Sequence, residues 1–140
     1  LSKEQIVISP FVEEHNLIKK WCDSHGIELS HVKFCEELSQ DALPKLENTP
    51  LDFVLIDGDH AFPGPFLDWY YTADRIRLGG LVAVDDTQII TGRILRDFLL
   101  KETERWKLAA EIGKTSIFER ITTGPVARGV QWIEQPYCQI

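Results

Sequence analysis

Leu51-Asp52-Phe53-Val54-Leu55-Ile56, followed at once by Asp57-Gly58-Asp59-His60, is the stretch that decides the fold. A short, nearly continuous apolar run marks a strand buried on both faces of a parallel sheet. The same grammar recurs at Leu81-Val82-Ala83-Val84, which stops at Asp85-Asp86. Between the two runs, Pro63 and Pro65 punctuate a loop and launch a helix carrying Phe66, Leu67, Tyr70, Ala73 and Ile76. Gly79-Gly80 is expected to close that helix.

Toward the amino terminus, Gln5 to Ile8 reads as a strand, and Ser9-Pro10 as the N-cap and first-turn proline of a helix. Glu13 and Glu14 suit the positive end of that helix. Leu17, Ile18, Trp21 and Cys22 recur at helical spacing, and Gly26 supplies the C-cap. Val32 to Cys35 is a second strand, followed by a short helix around Leu43 to Leu46. Toward the carboxyl terminus, Thr91 is expected to cap a helix with Ile94, Leu95, Phe98 and Leu99 inward. Trp106 to Glu111 and Ser116 to Ile121 flank Gly113-Lys114 as a hairpin. Strand and helix thus alternate four times before an antiparallel pair, which predicts a doubly wound α/β sheet with right-handed crossovers. Ligands of such sheets sit outside the carboxyl ends of the strands. Ser9, Glu36, Asp57 and Asp85 all stand at such ends and are expected to share one rim.

Bulk properties narrow the function. The chain has 140 residues, 44% hydrophobic and 26% charged, with a net charge of -7. No apolar run approaches the roughly 20 residues a bilayer requires, and no secretory signal is present. The negative charge, without any basic run or stripe, argues against nucleic acid or an anionic membrane as partner. The expected partners are a small-molecule substrate and, optionally, a second copy of the chain. Cys22, Cys35 and Cys138 are odd in number and lack C-x-x-C spacing, so ordinary thiols in a reducing cytoplasm are expected. The chain starts at Leu1 and contains no methionine, which suggests an upstream segment.

Three carboxylates, Asp57, Asp85 and Asp86, follow two neighbouring strands with no lysine close by in sequence. Hard cations such as Mg²⁺ take oxygen ligands and keep waters for substrate exchange. The plainer alternative is that Asp57 caps a turn before Gly58 and Asp85 caps the following helix. His60, three residues past Asp57, is a candidate general base beside such a cation. His15, His25 and His31 read as solvated residues or caps. Of Trp69, Tyr70 and Tyr71, two are expected in the core, with Trp69 a candidate substrate wall. Arg93 and Arg96 read as a solvated face, or as contacts to an acidic substrate.

Taken together, these residues resemble the class I S-adenosylmethionine-dependent methyltransferases, which have a Rossmann-like sheet, mostly parallel with a terminal antiparallel hairpin. Val32 to Cys35, Ser39-Gln40-Asp41-Ala42-Leu43-Pro44-Lys45-Leu46 and Leu51 to Asp57 are similar to a stretch of catechol O-methyltransferases. The Asp-Gly-Asp-His run and the Gly-Gly and Asp-Asp pairs around the next strand look more like macrolide-sugar O-methyltransferases. The resemblance implies S-adenosylmethionine as cofactor, contacted by Ser9, Ser39, Gln40 and Asp57. It implies Mg²⁺ at Asp57, Asp85 and Asp86, and His60 as general base where catechol enzymes have lysine. It covers residues 5 to 121, so residues 1–121 are expected to form a partial methyltransferase domain, with an extension over 122–140.

Two departures stand out. The family's first strand and glycine-rich loop have no counterpart before Gln5. Ser9 stands where the family places an acidic residue on the cofactor ribose, a role that Glu13 or Glu14 could assume. O-methylation of a small-molecule hydroxyl is the leading expectation. A non-catalytic nucleoside-binding or interaction module of the same fold is the second, and a metal-dependent hydrolase the third.

Overall fold

The computed structural model describes residues 4–138. The expected segments 1–121 and 122–140 each run past these at one end, where they lie outside the described residues. The chain divides into two compact units, 1–46 and 47–140.

In the first unit, β1 (Gln5–Ile8) pairs in parallel with β2 (Val32–Cys35), in register from Gln5 opposite Val32 to Ile8 opposite Cys35. The helix α1 (Val12–Ser24) joins them, and α2 (Ser39–Ala42) follows, continued by a 3-10 turn over Leu43–Lys45. Both strands have the bounds the sequence predicts. The helix start does not. Phe11, not Ser9, is the N-cap, and the Ser9 hydroxyl accepts the Phe11 N–H at 3.3 Å. The proline is therefore spent in a turn ahead of the helix. Gly26 ends the element as expected, at φ 66°. His25 is a cap in fact, its Nδ1 2.8 Å from the Trp21 carbonyl. His15, expected in solvent, is 1% exposed and tilts against Phe34, with neither ring nitrogen hydrogen-bonded. It serves as an apolar ring, because the α1 face opposite Leu17 and Trp21 is the one that packs.

The second unit holds a four-stranded sheet in the order β3-β4-β6-β5. The strand β3 (Leu51–Ile56) pairs in parallel with β4 (Ile76–Val84), as two buried runs joined by a crossover helix should. The helix α3 (Gly64–Thr72) makes that crossover, and α4 (Ile90–Lys101) leads to the antiparallel pair β5 (Trp106–Ile112) and β6 (Thr115–Arg120). The element order and the hairpin match the expectation; the single continuous sheet is replaced by separate two- and four-stranded ladders. Ile56, Trp69, Val82, Val84, Leu95, Leu99, Trp106 and Phe118 belong to its hydrophobic core.

Four local readings are corrected here. Gly79-Gly80 does not close a helix; both lie within β4, where pairing jumps from Ile76 opposite Leu51 to Leu81 opposite Phe53. A Cβ at Gly80 would come within 2.9 Å of the Arg77 carbonyl and 3.2 Å of the Asp52 carbonyl, so the bulge needs glycine. Trp69, the candidate substrate wall, is a core residue at 6% exposure, whereas Tyr70 is exposed. Ile94 faces outward, leaving Leu95 and Leu99 as the buried face of α4. Arg96 is no solvated cation. It donates to Glu111 at 2.6 Å and to Ser116 at 3.2 Å, tying α4 to the hairpin.

The segment after residue 121 packs on this unit as a strap. The nearly buried Arg120 guanidinium donates to the carbonyls of Asp74 (2.9 Å), Ile76, Thr122 (3.0 Å) and Gly124 (2.6 Å). The Asp74 carboxylate in turn accepts the backbone N–H groups of Val126 (2.7 Å), Ala127 (3.2 Å) and Arg128 (2.6 Å). Charge-assisted bonds of this kind are the strong ones, and they seat Val126 in the core. Tyr137 then stacks on Phe98 of α4 and donates to the Asp97 carbonyl at 2.8 Å. No described helix is long and apolar enough to cross a membrane, and the three cysteines are free thiols.

Candidate active site

Two strand ends make the site in the second unit. Because β3 and β4 are parallel and in register from Phe53 opposite Leu81 to Ile56 opposite Val84, their chains leave the sheet side by side. Asp57 follows one and Asp85-Asp86 the other. One carboxylate oxygen from each of Asp57, Asp85 and Asp86 lies within 4.8 Å of the others. His60 joins them, its Nε2 3.1 Å from Asp86 Oδ2. Its loop is held from α4, for the Thr91 hydroxyl donates to the His60 carbonyl at 2.7 Å. Thr91 is thus a loop anchor inside α4. The N-cap is Ile89, and no side-chain cap bond is made.

Asp86 is the most constrained member. It has φ 50°, a left-handed conformation that aspartate and asparagine tolerate better than most residues, and it keeps 9% of its surface. Gly92 makes room for that turn. A Cβ there would meet the Asp86 carbonyl at 2.8 Å and the Asp85 carbonyl at 3.0 Å.

The hairpin turn closes the cluster from the other side. As β6 runs antiparallel to β4, with Ser116 opposite Val84, the start of β6 sits beside the end of β4. Lys114 Nζ donates to Asp86 Oδ1, and Gln88 Nε2 donates to the same oxygen at 2.7 Å. The Thr115 hydroxyl donates to Asp85 Oδ1 at 2.5 Å. The carboxylates are therefore not free of lysine, as the sequence suggests; a fold contact across 28 residues brings one in. Sequence reasoning also missed Gln88 and Thr115. The hairpin itself was legible, but nothing in the chain announces that its turn lies against Asp85-Asp86.

These contacts split the carboxylates electrostatically. The Thr115 hydroxyl holds the Asp85 carboxyl below the usual range, aided by the Asp86 backbone. The Lys114 ammonium and then Gln88 do the same for Asp86. Asp57 goes the other way, pushed up first by burial and then by its two anionic neighbours. A cluster with one strained carboxylate gains from a further positive charge.

The first unit carries the other predicted positions. Ser9 and Glu36 directly follow β1 and β2, and Ser39-Gln40 opens α2. Ser9 is half-buried, its oxygen occupied by the Phe11 N–H. Neither the Ser39 hydroxyl nor the Gln40 amide is engaged by another described group, and Gln40 is exposed. Both are available to a ligand.

Comparison with known proteins agrees with this architecture. A solved structure of a protein from Corynebacterium glutamicum resembles the chain with a TM-score of 0.67 at 16% identity, over 85% of this chain and 61% of its own. A proposed methylase from Haemophilus influenzae gives a TM-score of 0.57 at 17% identity, over 86% of this chain and 74% of its own. At such identities the likeness is one of fold, and the chain spans less than two thirds of the first protein. No curated protein matches the sequence. A family model described as a methyltransferase domain matches residues 8–87, from the end of β1 through the Asp85-Asp86 turn. The chain belongs to this methyltransferase-domain family.

Proposed function

We propose that the chain is part of an S-adenosylmethionine-dependent enzyme that methylates a hydroxyl oxygen of a small molecule with the help of a divalent cation. The observation that carries this reading is the convergence of Asp57, Asp85 and Asp86 beside His60, within a chain of the methyltransferase family. Three carboxylates at this spacing suit Mg²⁺, which binds through a few carboxylates and keeps several waters. When bound, such a cation lowers the pKa of an acceptor hydroxyl. Asp57, Asp85 and Asp86 would hold it. Asp86 orients the His60 imidazole through Nε2, leaving Nδ1 to take the hydroxyl proton. General-base assistance of this kind is worth about 10²- to 10⁴-fold in rate.

Ser39 and Gln40 suit the cofactor adenine through their free side chains, and Asp57 and Ser9 complete the proposed cofactor set. Ser9 can offer one hydroxyl where a carboxylate would grip two ribose hydroxyls, which favours the non-catalytic binding module as the second reading. Titration calorimetry of the full-length protein with S-adenosylhomocysteine tests the first. Binding is expected, weakened about fivefold or more by Ser39→Ala with Gln40→Ala, as two hydrogen bonds of about 0.5–1.5 kcal/mol each imply. No heat at millimolar ligand would remove the methyltransferase reading.

The partial-domain reading is likewise our proposal. Its support is that β3 ends the order of its sheet and, among the described residues, pairs with β4 alone. A further strand from outside these residues is proposed to pair with the open edge of β3.

A further inference from the structure

Among the described residues, Lys114 is the one lysine or arginine ion-paired to the carboxylate cluster. Its place is set by backbone. Gly113, at φ 60°, makes the tight turn, and Thr87 clamps the Lys114 carbonyl twice, through N–H at 2.9 Å and Oγ1 at 2.7 Å. The ammonium is thereby delivered to Asp86 Oδ1, an oxygen already accepting from Gln88, while Oδ2 faces His60. Both acceptor positions of Asp86 Oδ1 are thereby taken. Gln88 and His60 are neutral or adaptable donors; Lys114 carries a full charge. Yet its side chain is 58% exposed and free to swing into water while the turn stays clamped.

Resting on the proposed cation site, we infer that Lys114 is a displaceable internal cation of the cluster, competing with the divalent ion for Asp86 and so setting how tightly that ion is held. Without the ion, the ammonium offsets part of the charge of three adjacent carboxylates. With it, two positive groups would crowd one oxygen, and Lys114 leaves. The device keeps affinity in a range where the ion can be exchanged, and links loading of the site to the β5–β6 turn.

The test is Mn²⁺ binding to the full-length protein, followed by the loss of the free-ion paramagnetic resonance signal. Because the ion must drive the ammonium off Asp86, removing that charge should tighten binding by up to about fivefold, the upper end for an exposed ion pair. Lys114→Met is expected to do so, and Lys114→Arg to stay within about threefold of the parent. Binding by Lys114→Met that is no tighter than the parent's overturns the inference and leaves the cation site standing. No binding by either protein removes both. On the unaltered protein, acetylation of Lys114 followed by mass spectrometry is a second readout that needs no variant. Mn²⁺ should speed it several-fold by freeing the ammonium; an unchanged or slower rate contradicts the displacement.

Discussion

Asp85→Asn combined with Asp86→Asn is expected to abolish cation-dependent methyl transfer while leaving the fold in place. Asparagine matches aspartate in shape, its carbonyl can still accept the Thr115 hydroxyl, and it tolerates the φ of 50° at position 86. What is lost is charge. Changes to groups that merely orient a metal's ligands cost about 10- to 100-fold, and removing two of three ligands should take the rate to background. The same variant has a signature in acid. Because the fold holds both carboxyls below their ordinary range, each contributes stability above that range that is lost as pH falls through its folded pKa. The double variant should lack that acid-side decline. Full activity of the parent in excess chelator would contradict the proposal and move the aspartates to structural roles.

The open edge of β3 gives the second large effect. The Asp85 N–H donates to the Ile56 carbonyl at 3.0 Å, so the backbone groups of Ile56 turn toward β4. Successive residues of a strand alternate, which turns those of Val54 the same way and those of Phe53 and Leu55 outward. In residues 1–140 alone, the Val54 amide should therefore be protected, and Phe53 and Leu55 should exchange at least about 10²-fold faster. In the full-length protein, Leu55 should become as slow as Val54. Equal, strong protection in a soluble monomer of residues 1–140 would show that the edge closes without another strand.

The pattern of success in reading the sequence has a physical logic. Apolar runs ended by Ser, Glu or Asp marked β1, β2 and β3 to the residue, because strand burial and turn chemistry are both local. The glycine pair was misread because a bulge and a helix C-cap demand the same conformational freedom; only the jump in pairing against β3 separates them. Thr91 and Ser9 look like caps in sequence, yet one anchors a loop and the other receives a turn N–H. His15 went unseen because an imidazole packed on Phe34 without hydrogen bonds leaves no pattern distinct from a solvated one. At the site, the carboxylates and His60 were legible since parallel strands place their carboxyl ends together. Lys114 and Thr115 were not, because their positions follow from β6 lying antiparallel beside β4; Gln88 was not, because a contact between side chains two residues apart in a turn leaves no pattern in the sequence.

That Asp57, Asp85 and Asp86 form one divalent-cation site of a methyltransferase is the claim on which the rest stands. Anomalous diffraction from a crystal of the full-length protein, grown with Mn²⁺ and S-adenosylhomocysteine, tests it most directly. The account predicts a single strong anomalous peak bonded to oxygens of all three carboxylates, with the Lys114 ammonium turned away from Asp86. Well-ordered S-adenosylhomocysteine with no peak at the cluster, and Lys114 still on Asp86, would contradict it.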